Sequence, residues 1–326
     1  MTNIPSLSLS LDFLSEAGVE ITAQTPLSDC TTFRLGGPCD QLITCQTPQQ
    51  VERVVGELGK RDIPFLLIGG GSNLLVSDEG VKGIVIRYTS AIPLVSRDGN
   101  DILVSGSTQL DDLVLFALEN DLGGLNYASG IPGTVGGAVV GNAGAFGEQV
   151  GDYLKSVVLI DHKGNKKKVG PEALGFKYRD SHLKQTGDIV MNCRFSCCPA
   201  DKKKMRQQRQ EILDLRHQKH PDLTMHPCAG SFFRNIEPTS KAQQRQAAGW
   251  FLEQAGAKDF RVGGACVFEK HANIIIKSDG CTAQDVFDLS ELMSTVVREK
   301  YNLSLIREVR LVGPFKGMEN SGQAII

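Results

Sequence analysis

The stretch GIPGTVGGAVVGNAGAFG, residues 130–147, decides how the rest of the chain is interpreted. Ten of the 35 glycines lie between Gly123 and Gly151, among Ala, Val, Ile and Asn rather than the Ser and Pro of a flexible linker. Each of these glycines costs conformational entropy on folding. A long anionic dinucleotide that accepts backbone N–H hydrogen bonds would compensate that cost. The alternative is a packed Gly/Ala turn.

A second glycine loop, GGGSN at residues 69–73, follows the short apolar run FLLI. α/β proteins bring backbone amides to phosphate at such strand-to-loop junctions. The loop is not GxGxxG, since Leu74 stands where the third glycine would be, and the chain contains no GxxxxGK[ST]. These patterns exclude the Rossmann and P-loop sites. A tight turn is the alternative to another kind of phosphate loop.

Hydrophobic periodicity outside the glycine segments predicts helices and strands in a mixed order. The strands are expected at 65–68, 74–76, 83–86, from 101, and at 156–161, 166–169, 189–196, 265–268, 273–277 and 304–312. The helices are expected at 48–60, from Asp111 to near Gly123, and at 201–217, 249–255 and 283–300. The strongly charged helix at 201–217 is expected to connect two domains. The fold class is therefore α+β.

The composition excludes several functional classes. The 326 residues carry 35 Lys and Arg against 37 Asp and Glu, a net charge of −2, so neither nucleic acid nor a membrane surface is an expected partner. Nine cysteines without a CxxC pair fit reduced thiols in the cytoplasm better than disulfides or zinc. No apolar run approaches the roughly 18 residues of a membrane span. We expect no export, no insertion and no bound metal.

Two short polar motifs between apolar segments are candidates for chemistry. In YRDS, Arg179 has the bidentate fork that binds a carboxylate or a phosphate, and a surface turn is the alternative. In GSFFRN, Ser231 lies on a tightly packed backbone. A hydroxyl donates a proton well only to a basic centre such as a carbanion, so an ordinary packed serine is the alternative here.

Two further positions lie in the C-terminal third. Glu308 falls within the expected last strand, where alternation places Arg310 on its face and Arg307 on the other. A structural ion pair is the alternative reading of Glu308. His271 closes a strand turn in EKHAN, and the six histidines show no metal-ligand spacing.

Eight motifs occur in the order and spacing of one known family. They are TTFRLGG (31–37), LIGGGSNLLVSDEGVKG (67–83), GIPGTVGGAVVGNAGAFG (130–147), YRDS (178–181), AGSFFRN (229–235), AAGWFLEQAG (247–256), EKHANIII (269–276) and EVRLVG (308–313). Together they are distributed over nearly the whole chain, from residue 31 to residue 313. The sequence resembles the UDP-N-acetylenolpyruvoylglucosamine reductase (MurB) family, flavoenzymes of peptidoglycan synthesis, and is similar to its shorter structural class.

The resemblance implies a fold of three parts. An FAD-binding pair of α/β subdomains of the vanillyl-alcohol-oxidase type is followed by a C-terminal α/β domain that binds the substrate. We expect the first FAD-binding subdomain at 1–91 and the second at 92–218, with 305–326 returning to the second. The substrate-binding domain is expected at 219–304.

The resemblance also implies that non-covalent FAD is the dinucleotide over the glycine segments, and that NADPH is its hydride donor. The pyrophosphate is expected against the GGGSN loop. The residues that match the family's FAD contacts are Gly69, Gly70, Gly71, Ser72, Asn73, Gly130, Ile131, Pro132, Gly133, Thr134, Gly136, Gly137, Asn142 and Ala145.

The implied reaction is the reduction of UDP-N-acetylglucosamine enolpyruvate to UDP-N-acetylmuramate by hydride transfer to its vinyl carbon. In the family pattern, Arg179 with Glu308 stabilises the charge that develops on the substrate carboxylate. Ser231 matches the proton donor, because the carbanionic centre is basic enough for a hydroxyl. The expected substrate contacts are Tyr178, Lys219, Asn235, His271 and Arg310.

Two alternatives stay open at this point. Another FAD-linked oxidoreductase, such as an oxidase, would often tether its flavin through His or Cys, and no His lies in the glycine motifs. A non-catalytic protein that binds cell-wall precursors would not need Arg179, Ser231 and Glu308 together. We expect a cytoplasmic monomer that acts on small molecules and serves cell-wall biogenesis, cell shape and cell division.

Overall fold

The structure, a computed structural model, describes residues 10–238 and 245–318 and confirms the α+β class. The strands are β1 (Glu20–Pro26), β2 (Pro38–Cys45), β3 (Phe65–Ile68), β4 (Leu74–Val76), β5 (Val81–Tyr88), β6 (Val95–Asp98), β7 (Asp101–Ser105), β8 (Leu122–Gly123), β9 (Gly144–Ala145), β10 (Glu148–Gln149), β11 (Leu154–Ile160), β12 (Lys166–Val169), β13 (Ile189–Ser196), β14 (Cys198–Pro199), β15 (Arg261–Val262), β16 (Ala265–Phe268), β17 (His271–Lys277) and β18 (Arg310–Val312). The ends of the predicted ranges 1–91 and 305–326, at 1–9 and 319–326, lie outside the described residues.

Helices occur throughout the same residues. The α-helices are α1 (Pro48–Gly59), α2 (Leu110–Glu119), α3 (Val135–Gly141), α4 (Val150–Tyr153), α5 (Leu183–Thr186), α6 (Lys202–Lys219), α7 (Ala248–Gln254) and α8 (Ala283–Tyr301), and the 3₁₀ turns are Asp12–Ala17, Leu27–Cys30, Asn126–Ala128, Pro171–Leu174 and Ala257–Asp259. None of the helices in 10–238 and 245–318 has the length and apolarity of a membrane span.

The first layer is the sheet β1-β2-β5-β3, with β2 and β3 parallel to β5 and β1 antiparallel at the edge. Helix α1 covers it with an apolar face whose valines are fully buried. Its N-terminus is fixed by a capping box, since Thr47 and Gln50 each accept a hydrogen bond from the other's backbone N–H. The helix predicted at 48–60 is confirmed and ends at Gly59.

The second layer is the antiparallel sheet β12-β11-β13-β7-β6. It contains the predicted hairpin of β11 and β12, in which Ile160 pairs with Lys166 around the turn at 161–165. Ile160 also pairs with Ile189 of β13, and both side chains lie in one hydrophobic core with the valines of α1. The two sheets therefore share part of their core.

Two glycines, Gly59 of α1 and Gly164 of the hairpin turn, let the second layer approach the first. A Cβ on Gly59 would lie 2.6 Å from the carbonyl oxygen of His162, and a Cβ on Gly164 would lie 3.0 Å from the Cα of Gly56. The turn at 161–165 thus rests directly on the helix backbone. We call this contact the hairpin seam.

Helix α6 leads from the second layer to the third and was predicted at 201–217. Asp201 caps its N-terminus, and Arg209 binds Asp111 of α2 through two hydrogen bonds of 2.7 and 2.6 Å. The third layer is the antiparallel sheet β15-β16-β17, which α7 and α8 cover. A large core, which includes Phe232, Phe287 and Met293, lies within it.

The last segment differs from the prediction in two respects. The strand predicted at 304–312 is wrong before Arg310, because the preceding residues bond to the irregular segment at 232–234 instead. Glu308 N donates to Phe232 O, and Arg234 N donates to Ile306 O, both at 2.8 Å. The predicted return of 305–326 to the range 92–218 is also wrong for the strand itself, since β18 pairs in parallel with β4, in the range 1–91. The other domain boundaries stay predictions.

Candidate active site

A single cavity of about 910 Å³ is lined by residues from all three layers. The two glycine segments meet in its wall. A Cβ on Gly70 would lie 3.1 Å from the Cα of Gly133, and the hydroxyl of Ser72 donates a 3.0 Å hydrogen bond to the carbonyl of Pro132. The size is within the range of sites for large cofactors and substrates.

Glycine is required where the two segments meet. Gly133 has φ +111°, and a Cβ there would lie 2.5 Å from the Ser72 hydroxyl. A Cβ on Gly69 would lie 2.5 Å from the hydroxyl oxygen of Thr134, which caps α3. Side chains at Gly69 or Gly133 would therefore fill the gap between the segments.

The predicted FAD contacts, except Asn142, line this cavity. A cavity of this volume, walled by the two glycine segments, can hold a dinucleotide. Three buried nitrogens of lining residues have no hydrogen-bond partner in the described chain and could bond to such a ligand, namely His162 Nε2, Arg179 Nε and Arg216 Nε. The structure therefore accommodates the FAD that the sequence predicts.

Asn142 does not line the cavity because its side chain is used within the protein. It is 1% exposed, donates to Gln149 Oε1 and Lys177 O at 2.9 Å, and accepts from Gly151 N at 3.0 Å. These hydrogen bonds indicate that Asn142 fixes the conformation of the turn that follows it. His271, expected to contact the substrate, also lies outside the lining, with its ring 5.6 Å from that of His220.

Arg179 lies at the tip of a tight turn. Lys177 and Asp180 exchange backbone hydrogen bonds of 3.0 and 3.1 Å across it. Arg179 has φ +54°, a left-handed conformation that costs a non-glycine residue about 1–2 kcal/mol. The turn is held in place by the Ser181 hydroxyl, which donates to Val140 O at 2.7 Å, and by the Lys184 ammonium, which donates to Arg179 O.

Arg179 points at Glu308. Its Nε lies 3.0 Å from Glu308 Oε1, at ion-pair distance but outside hydrogen-bond geometry, so this buried N–H has no hydrogen-bond partner among the described residues. Burial raises the pKa of Glu308, and the nearby charges of Arg179 and Lys184 oppose that rise. Burial also lowers the pKa of Lys184, with a further contribution from Arg234. One carboxylate is thus surrounded by cations that can bind an anion.

Ser231 lines the cavity from the third layer. Gly230 before it has φ +75°, and Ser231 itself forms a bridge with Ile274. The buried side chain of Asn273 accepts from Phe233 N at 2.9 Å and donates to Phe233 O at 2.8 Å. The hydroxyl is therefore presented from a rigid backbone.

Most of the predicted catalytic and substrate-binding residues line the cavity. The lining includes all three expected catalytic residues and four of the expected substrate contacts, namely Tyr178, Arg179, Lys219, Ser231, Asn235, Glu308 and Arg310. Glu308 and Arg310 share the cavity face as the alternation predicted, although no strand runs between them. Arg307 points away, to Glu291.

Sequence reasoning missed several residues of this site, among them Lys184, Arg216 and Asn273. Lys184 and Arg216 line the cavity, and Asn273 holds the backbone beside Ser231. Arg216 stands three residues before Lys219 on α6, and this helical spacing could have indicated it. Asn273 is an amide inside the hydrophobic run of EKHANIII, a second usable signal. Lys184 has no local signal.

Comparisons with known proteins agree with this geometry. A family model described as the UDP-N-acetylenolpyruvoylglucosamine reductase C-terminal domain matches residues 220–312, and one described as an FAD binding domain matches 39–170. A UDP-N-acetylenolpyruvoylglucosamine reductase of Clostridium novyi is 33% identical over 294 residues, covering 90% of this chain and 92% of the relative. That of Bacillus subtilis is 34% identical over 295 residues, covering 90% and 94%.

A solved structure gives the same result. The crystal structure of MurB from Thermus caldophilus superposes with a TM-score of 0.73 at 32% identity, covering 90% of this chain and 99% of that one. The matches confirm the predicted resemblance and the predicted order of an FAD-binding part before a C-terminal domain. The chain belongs to the UDP-N-acetylenolpyruvoylglucosamine reductase family.

Proposed function

We propose that this protein reduces UDP-N-acetylglucosamine enolpyruvate to UDP-N-acetylmuramate, a step in peptidoglycan precursor synthesis, with bound FAD and with NADPH as hydride donor. The observation that carries the proposal is that Ser231 and the Arg179–Glu308 pair line the same cavity as the two glycine segments. FAD, when bound, accepts a hydride from NADPH and supplies it to the substrate's vinyl carbon. The cavity-facing side chains carry out the remaining chemistry.

Arg179 binds the substrate carboxylate in this proposal. Negative charge moves onto that carboxylate as the hydride arrives, and a fixed guanidinium nearby stabilises it without reorganisation. Glu308 holds Arg179 in place from 3.0 Å. The left-handed backbone of Arg179 is consistent with such a role, because strained residues persist where the surrounding structure enforces them.

Ser231 donates a proton to the carbon beside the carboxylate. A neutral hydroxyl is a weak acid, but the carbon that receives the proton carries the developing negative charge and is a strong base. The rigid backbone supplied by Asn273 keeps the hydroxyl in position. Asn273 is accordingly a positioning residue.

Lys219, Asn235, Tyr178 and Arg310 are proposed to hold the rest of the substrate. Lys219 lies at the end of α6 and faces the cavity, as does Arg216, so both can attract an anionic diphosphate. The ring of Tyr178 lies 4.1 Å beneath the Arg245 guanidinium. His271 is proposed to act through His220, which does line the cavity.

We further propose that the protein is a cytoplasmic monomer that serves cell-wall biogenesis, and with it cell shape and division. The test of the whole proposal is spectroscopic. The purified protein should be yellow, denaturation should release FAD, NADPH should bleach the flavin without oxygen, and the enolpyruvyl substrate should restore the colour. Failure to bind added FAD would refute the proposal, and a flavin that only oxygen reoxidises would favour the oxidase alternative.

A further inference from the structure

The cavity continues beyond the glycine segments into a space between the first two sheets. We call this space the inner end; residues 66–68, Tyr88, His162 and residues 187–190 line it. Because Ile160 at the end of β11 pairs with Ile189 at the start of β13, the start of the hairpin turn lies beside the start of β13. His162 and Asp188 therefore lie near each other on one wall.

The inner end suits an uncharged, flat group better than a phosphate. The Tyr88 hydroxyl is already bonded to Ser105 Oγ at 2.9 Å and to Met191 O at 3.1 Å, which leaves its ring as an apolar surface. Asp188 is 8% exposed and pairs with Lys167 at 2.6 Å. The residues that line the inner end include no Lys or Arg, and Lys167 is already paired with Asp188, so these residues offer no unpaired cation to a phosphate.

His162 is the group in this wall that lacks a partner. Its Nε2 is buried and has no hydrogen-bond partner among the described residues. Its ring is held against Phe65, with centroids 5.4 Å apart, and its backbone is fixed by the hairpin seam at Gly59. A buried ring nitrogen without a partner costs free energy, so a ligand atom that bonds to it would gain affinity.

The position of the glycine segments determines which part of FAD reaches this wall. The pyrophosphate is expected at Gly69 to Asn73. In the proposed function the isoalloxazine would lie towards Ser231, since hydride must pass to the substrate there. The adenosine half would then extend away from Ser231, past the glycine segments and into the inner end.

We propose that His162 Nε2 hydrogen-bonds to the adenine ring of FAD and that this bond makes the site select FAD over FMN. The proposal rests on the proposed function, because it takes FAD as the cofactor. FMN lacks the adenosine half and cannot reach His162. The residue thus determines cofactor choice without touching the reacting atoms.

The test compares two flavins in three variants of the flavin-free protein. FAD and FMN are each titrated, and binding is followed by quenching of flavin fluorescence. His162→Phe keeps the contact with Phe65 but removes the nitrogen, so Kd for FAD should rise about 5- to 10-fold while Kd for FMN stays within about 2-fold. His162→Gln keeps a hydrogen-bonding group and should recover most of the FAD affinity.

His226→Phe is the matched control, since His226 is exposed, packs on Phe268 and does not line the cavity. It should leave both affinities unchanged. An unchanged FAD affinity in His162→Phe, or an equal loss for both flavins, would overturn the proposal. If the parent protein bound neither flavin, the proposed function would fail instead. Should His162→Phe not fold, His162→Leu is titrated with the same expected and opposing outcomes.

Discussion

The two ends of the cavity are built in opposite ways. The charged end is formed by Arg179 on a tight turn, Lys184 and Arg216 on two helices, Glu308 on an irregular segment and Arg310 at the start of β18. The inner end consists mostly of apolar residues on the strands β3, β5 and β13 of the two regular sheets. Substitutions at the charged end should therefore change rates, whereas substitutions around the inner end and the glycine segments should change flavin affinity or stability.

The largest effect is expected at Ser231. In Ser231→Ala, NADPH should still bleach the flavin at close to the parent rate, because that step takes no proton from the serine. Reoxidation by the enolpyruvyl substrate should slow by about 10²- to 10⁴-fold, and Ser231→Cys should retain more activity than Ala. Stopped-flow absorbance measures both steps, with Ser96→Ala on the exposed edge strand as control. Equal slowing of both steps would indicate a folding or flavin-binding defect.

Arg179→Lys tests whether the charged end needs a fork rather than a charge. An ammonium cannot bind a carboxylate through two parallel hydrogen bonds, so substrate turnover should fall by about 10²-fold with FAD binding intact. The control is Arg206→Lys on the outer face of α6, which should change nothing. Near-normal turnover in Arg179→Lys would support the alternative in which Arg179 is part of a surface turn and does not bind the substrate.

The pH dependence of reoxidation should show the environment of Glu308. Burial raises its pKa above that of an exposed glutamate, about 4.3. As pH falls through the raised pKa, Glu308 becomes neutral and Arg179 loses its partner, so reoxidation should slow by up to about tenfold per pH unit. Glu308→Gln should be slower throughout but lack this acid limb. If Glu308→Gln showed the same loss of rate at low pH, that loss would arise from another titrating group.

Gly133→Val should lower flavin affinity by about tenfold or more, because its side chain would enter the gap against Ser72. Gly99→Val is the matched control: Gly99 also has positive φ, but a Cβ there would meet nothing within 4 Å. Both variants carry backbone strain, and only the first should lose flavin, as measured by equilibrium titration. Equal affinity in the two variants would show that the glycine segment is only a structural turn.

At the hairpin seam we expect effects on stability and not on turnover. Gly59→Ala places a methyl group 2.6 Å from the His162 carbonyl and should destabilise the protein by about 1–3 kcal/mol. Gly56→Ala meets nothing within 4 Å in the same helix and should stabilise it by up to about 1 kcal/mol. Urea unfolding measures whether each substitution lowers or raises the free energy of unfolding. Destabilisation of the same size in both would mean that helix α1 tolerates no side chain there.

Regular elements with strong local patterns could be predicted from the sequence. β3 and β13 have the predicted bounds, and α6 is shifted by only one or two residues. β1 and β2 were not predicted; β1 is an edge strand with no buried side chain, so its sequence carries little periodicity. The run at 304–309 has strand-like composition, but its partners are the irregular residues at 232–234, which no local pattern reveals.

The glycine segments and the charged end differed in how far the sequence predicted them. The glycine segments could be predicted because the entropy cost of so many glycines must be compensated, and they line the cavity as expected. Lys184 was missed because its neighbours Arg234 and Glu308 come from distant parts of the chain. Asn142 matched a family pattern, yet its tertiary contacts with Gln149 and Lys177 turn its side chain inward.

The hairpin seam has a consequence for the order in which the protein assembles. Gly59 and His162 are separated by roughly 100 residues, so the contact closes a long loop and we expect it to form late in folding. The inner end of the cavity exists only after that closure. FAD that binds only after closure therefore stabilises the closed state. The stabilisation is about 2.7 kcal/mol when the free FAD concentration is a hundred times Kd. Removing the flavin should accordingly increase amide hydrogen exchange at the seam before it does so in the third layer.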